Sequence, residues 1–142
     1  MGSPSSIKNM VKFYGYLAGD DWLLQHAITS MGYDHPQTTQ DARELIHLAL
    51  RDVREVAGVH GYTRLRRVTT TKGRSFWCIA FAANDPYEGL PTHMPPEARY
   101  LALKALLQKD GPPHWYRDVF AHWTKYYVLV ISNDQFETFR RI

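Results

Sequence analysis

Aromatic and aliphatic positions dominate the first periodic stretch of the chain. Met10-Val11-Lys12-Phe13-Tyr14-Gly15-Tyr16-Leu17 is aromatic and β-prone and predicts a strand. Gly19-Asp20-Asp21 then offers acidic capping residues to a helix marked by Leu24, Ala27, Ile28 and Met31, with Gly32 as its stop. Thr38 followed by Asp41 is a variant capping box. Beyond it Ala42, Leu45, Ile46, Ala49, Val53, Val56 and Ala57 recur at i, i+3, i+4 and i+7, so a long helix is predicted from Thr38 to Ala57. Tyr62 to Thr70 and Ser75 to Ala83 are β-branched or aromatic runs joined by Thr71-Lys72-Gly73-Arg74, a hairpin pattern. Alternation along the second run puts Ser75, Trp77, Ile79 and Phe81 on one face, and Phe76, Cys78, Ala80 and Ala82 on the other.

After a Pro/Gly-rich loop, Ala98, Leu101, Ala102, Ala105 and Leu106 predict a helix that Gly111-Pro112-Pro113 ends. Tyr116, Val119, Phe120 and Trp123 follow at helical spacing. Lys125 to Ile131 reads as the fourth strand, and Phe136 and Phe139 sit on a last helical turn or two. With the helices counted in pairs, the order is βαββαβ. The expected fold is therefore α+β and ferredoxin-like: an antiparallel four-stranded sheet with paired helices on one face and the other face open. Right-handed crossovers place the strands holding Phe13 and Phe76 in its middle. A mainly helical domain with an appended hairpin is the competing architecture.

At 142 residues the chain fits one domain, expected over residues 10–142 behind a flexible start at residues 1–9. Met1-Gly2-Ser3-Pro4-Ser5-Ser6 formally fits a myristoylation start, against the plainer reading of a loose or vector-derived end. With 44% hydrophobic residues the chain is too apolar to be wholly disordered. No apolar run approaches the roughly 18–20 residues of a membrane span, and the start does not resemble a signal peptide. The one cysteine, Cys78, excludes an intramolecular disulfide framework and a CxxC zinc cluster. These features lead us to expect an intracellular protein, cytoplasmic or nuclear, with no cofactor.

The modest net charge of +3 conceals an uneven distribution. Between His60 and Ser75 stand Arg64, Arg66, Arg67, Lys72 and Arg74 with no acid, whereas the stretch from Asp20 to Ala57 holds seven acids and three arginines. Five cations beside Tyr62, Phe76 and Trp77 suit an anionic, aromatic partner, because phosphates attract the charges and bases stack on rings. The competing explanation is that cations keep the edges of a hairpin solvated.

Here the sequence resembles the RNA-recognition-motif family. Lys12-Phe13-Tyr14-Gly15-Tyr16-Leu17 is similar to that family's first strand. Arg74-Ser75-Phe76-Trp77-Cys78-Ile79-Ala80-Phe81 matches its third strand at the basic, first aromatic, aliphatic and last aromatic places. The resemblance implies that Phe13 and Phe76 stack bases and that Arg74 meets a phosphate or ribose. Cys78 departs from the pattern where a second exposed aromatic belongs, as does Trp77 where a small residue does. The expected function is a non-catalytic binding module, its favoured ligand single-stranded RNA or another polyanion. Phe13, Arg64, Arg66, Arg67, Lys72, Arg74 and Phe76 would form the site.

Two other classes use the same scaffold. The open face could pair with a second copy, as in dimeric α+β barrels, making Phe13, Leu17, Phe76 and Ala80 an interface around a small-molecule pocket. Such a protein could be an enzyme, with His93 or His114 as general base. Neither histidine has a nucleophile motif near it. The seven histidines form no HExxH, so no metal site is expected. Cys78, mid-strand in an apolar run, reads as an inert packed thiol.

Overall fold

The computed structural model describes residues 11–119. The expected loose start, the strand at Lys125–Ile131 and the final turn with Phe136 and Phe139 lie outside that range. Four strands and three helices are present among the described residues: β1 (Lys12–Ala18), α1 (Asp20–Thr29), α2 (Thr39–Val56), β2 (Arg64–Thr69), β3 (Ser75–Ala83), α3 (Leu101–Leu106) and β4 (His114–Asp118). The fold is α+β with a four-stranded antiparallel sheet. None of these helices is long and apolar enough to cross a membrane.

Each helix follows from local chemistry. The α1 helix begins without a side-chain cap, but Asp20 and Asp21 in its first turn complement the partial positive charge of the N-terminus. Thr38 caps α2 by accepting from the Asp41 N–H at 3.0 Å, and Asp41 reaches back to the Gln37 N–H at 3.2 Å. The α2 stripe of Leu45, Ile46, Ala49, Leu50 and Val53 is buried, as its period requires. It packs with Leu23 and Ala27 of α1 and Leu103 of α3 against Tyr16, Ala18, Ile79 and Phe81 on the inner face of the sheet. At the far end of α2 the Arg54 guanidinium donates to Thr63 Oγ1, Thr63 O and the His60 carbonyl, fixing the turn into β2.

In the sheet, β1 is hydrogen-bonded to both β3 and β4, and β3 to β2. The adjacency of β1 and β3 is the one expected. The open second face is not found, because β2 also pairs with β4 at Val68–Asp118 and Thr69–Arg117, closing the strands into a ring. A bulge between Tyr14 and Gly15 helps to coil the sheet. Gly15 there lets β3 approach so closely that a Cβ would lie 2.0 Å from the Ile79 carbonyl oxygen. The bulge also moves the alternation of β3 by one residue, so Ala83 rather than Ala82 joins Phe13 inside.

The face turned away from the helices has thus become the interior of a small barrel. It is filled by Phe13, Val68, Cys78, Ala80, Ala83 and the loop residue Leu90, with Leu17 and Tyr116 packed against them. The segment around Tyr116, expected to be helical, differs from expectation. Tyr116 lies in β4, opposite Phe13, instead of opening a helix. Two prolines precede this segment, and the β1 edge beside it needs hydrogen-bond partners. Pairing with β1 outweighs a helical spacing of three to four residues.

Candidate nucleic-acid interface

The β2–β3 register distributes the hairpin cations over both faces. Arg64 and Arg66 sit opposite Ala80 and Cys78 on the barrel-interior side, whereas Arg67 sits opposite Trp77 on the helix side. Lys72 and Arg74 occupy the exposed turn. That turn is built by Thr70, whose N–H donates to the Arg74 carbonyl and whose carbonyl accepts from the Gly73 N–H. Gly73 has φ +81°, a conformation that side-chain-bearing residues rarely adopt.

Three of the arginines lie over rings. The Arg66 guanidinium is 5.5 Å from the Phe13 centroid, Arg67 is 5.2 Å from Trp77 and Arg74 is 5.3 Å from Phe76. A guanidinium held over a ring loses less freedom on binding and still presents N–H donors at its edge. Two of the three also meet a carboxylate. Arg66 Nε lies 3.4 Å from Glu88 Oε1, and Arg67 Nη1 lies 3.5 Å from Asp20 Oδ1. Arg67 Nε further donates to Ser75 Oγ at 2.9 Å. By contrast Arg64, Lys72 and Arg74 have no carboxylate partner among the described residues.

The expected aromatic platform is not assembled. Phe13 is fully buried beneath Arg66 in the barrel, so no base can lie on its ring in this conformation. Phe13 pairs with Ala83, seven residues along β3 from Phe76, which separates the two rings by roughly 20 Å at the rise of a strand. Phe76 is half-buried, with Arg74 on its face. The dimer expectation loses its surface for the same reason. Phe13 and Ala80 have no accessible area, and Leu17 packs against that interior within one chain. A ring of four strands is also too narrow to enclose a ligand beside its own side chains.

Among the described residues catalytic groups do not converge. His93 and His114 are exposed, and neither meets a carboxylate there; His114 faces the Tyr116 ring, 6.4 Å away. The close His–carboxylate contact among the described residues is His26 Nε2 to Asp52 Oδ2 at 2.8 Å. It bridges α1 and α2, with His26 stacked on Trp22. Among the described residues no group of three or more His, Cys, Asp or Glu could hold a metal. Burial pushes the Cys78 thiol far above its ordinary pKa, so it remains protonated and unreactive.

Three participants were invisible in the sequence. Glu88 and Asp20 are remote from the hairpin along the chain, and no local pattern ties them to Arg66 and Arg67. Arg54, on α2, comes close enough to Arg64 that its pKa is lowered, first by burial and then by that neighbouring charge. Comparison with family models, with curated proteins and with solved structures returns no match, so the reading of this surface rests on its geometry.

Proposed function

We propose that this chain is a non-catalytic module that binds single-stranded RNA along the β2–β3 hairpin. The observation that carries the reading is the set of exposed hairpin cations without acidic partners among the described residues, Arg64, Lys72 and Arg74. Exposed cations left uncompensated by the fold are available to phosphates. Arg74, exposed and 5.3 Å above the Phe76 ring, offers a guanidinium on which a base can stack in place of the bare ring. The reading therefore keeps Arg64, Lys72 and Arg74 in direct contact with the strand, and gives Phe76 and Phe13 supporting roles beneath Arg74 and Arg66.

The strand adjacency, with β1 between β4 and β3 and β2 beyond, supports a ferredoxin-like arrangement rolled until its edge strands meet. The resemblance to the RNA-recognition-motif family supports the ligand class, through guanidinium contacts in place of paired open rings.

Titration of a fluorescent single-stranded oligoribonucleotide at several salt concentrations tests this. Affinity should fall steeply with salt, and Arg64→Gln or Arg74→Gln should each reduce the log–log slope by roughly 0.7, the value for one single-strand phosphate contact. Absence of binding at low salt would remove the proposal, as would slopes that these substitutions leave unchanged.

A further inference from the structure

One hairpin arginine is engaged by the chain's own acid at a partly exposed position. Arg66 lies at the mouth of the barrel, held over Phe13, with its Nε 3.4 Å from Glu88 Oε1. The two side chains keep 32% and 25% of their exposure, so the pair is neither sealed in the core nor fully solvated. Glu88 belongs to a short turn, Pro86–Glu88, that Asp85 caps by accepting from the Tyr87 N–H. Gly89 follows with φ +79°, and the chain then drops Leu90 into the barrel beside Phe13. Pro91 closes the segment by accepting from the Ala83 N–H at 2.9 Å. Residues 85–91 therefore form a strap across the barrel mouth. It is fastened by one partly exposed ion pair, one apolar plug and one hydrogen bond to the end of β3. Tyr87 at its crest is 94% exposed.

We propose that Arg66 is a phosphodiester subsite, and that the Glu88 carboxylate occupies it until a strand of RNA displaces the strap. The inference rests on the hairpin reading above and adds its regulation. A carboxylate and a phosphodiester each bring one negative charge and two acceptor oxygens to the same edge of a guanidinium, so an RNA phosphate can take the place of Glu88. Because the Arg66–Glu88 pair is partly exposed, it is weak enough to exchange. Arg64 lies two residues earlier on the same side of β2, so a backbone already held by Arg64 would bring a phosphate towards Arg66.

The test compares binding of a single-stranded oligoribonucleotide by the native chain and by Glu88→Gln, with Glu44→Gln on α2 as a control of equal net charge. Glu88→Gln should bind about three- to fivefold more tightly, within the strength of such an ion pair. Its salt slope should not be shallower than that of the native chain. The gain should vanish in the Arg66→Gln background and should exceed that of the control. Protection of the Ala83 amide against hydrogen exchange should fall when RNA saturates the native chain, because the strap carries its acceptor. If the native chain binds but Glu88→Gln does no better than Glu44→Gln, the strap is not a competitor and only this inference fails. Unchanged Ala83 protection at saturation overturns it as well. If neither protein binds at low salt, the hairpin reading falls and this inference falls with it.

Discussion

Gly15 shows how one atom decides the curvature of the sheet. A Cβ there would stand 2.0 Å from the Ile79 oxygen and 2.9 Å from Ala80 Cα, both backbone atoms that cannot step aside without parting β1 from β3. Gly15→Ala should therefore cost at least the roughly 1–3 kcal/mol typical of overpacking, read as a lowered thermal midpoint. Gly19→Ala, whose Cβ would find only Phe76 Cε1 at 4.0 Å, should meet no overpacking and lose no more than the ~1 kcal/mol of a poorer N-cap to α1. Tyr16 gives a second check. Its hydroxyl donates to the Gly111 carbonyl at 2.8 Å, and burial, followed by neighbouring Tyr100, Tyr14 and Glu97, pushes its pKa up to about 12. The folded state thus prefers the neutral phenol. The stability it contributes is complete below the ordinary tyrosine pKa of 10.0 and is lost as the pH rises from there towards about 12. Denaturant midpoints measured from pH 9 to 12 should fall less steeply for Tyr16→Phe than for the native chain; equal slopes would contradict this. Phe13 marks where residue-level reading fails. Its aromatic character and strand placement are legible, but which side of a curled sheet becomes an interior is not written in its own neighbours.

At the scale of elements, legibility follows the strength of the periodic signal. The α2 stripe repeats over five turns, so its extent and its cap at Thr38 are both readable, and the structure places the helix at Thr39–Val56. Thr38→Ala should lower stability by about 1 kcal/mol, the usual worth of such a cap, measured as a shift in urea midpoint with the m-value unchanged. Arg54, which is not readable as structural, should matter more. Arg54→Ala leaves the fully buried Thr63 hydroxyl without a donor and the Thr63 carbonyl with only that of Arg64, and about 1–3 kcal/mol is expected from that loss. The β2–β3 hairpin was legible because its turn demands Gly73 and its flanks are β-prone. The β4 strand was not. Its five residues, His-Trp-Tyr-Arg-Asp, carry no strong alternation, and what makes them a strand is the β1 edge they meet.

For the whole molecule, closure is the property that no segment announces. The sequence pattern describes an open layer with helices on one side. The bulge at Gly15, the plug at Leu90 and the pairing of β2 with β4 turn that layer into a second, smaller core. As a result the rings that would have been a platform become supports for guanidinium groups, and the proposed recognition surface is the hairpin. Cys78 reports on this directly, since it lies fully buried in the barrel and burial raises its thiol pKa. A thiol-reactive reagent must wait for the ring to open. Labelling of the native chain should therefore be slow, should become independent of reagent concentration at high reagent, and should accelerate with sub-denaturing urea. Gly15→Ala, if it folds, should label faster in proportion to its lost stability, because global opening becomes more frequent. Glu88→Gln should change the rate far less, since releasing the strap does not part β2 from β4. Rapid, stoichiometric labelling of the native chain in the absence of denaturant would mean that the ring breathes freely. Phe13 would then be reachable from solvent, and base stacking on its ring would again have to be considered.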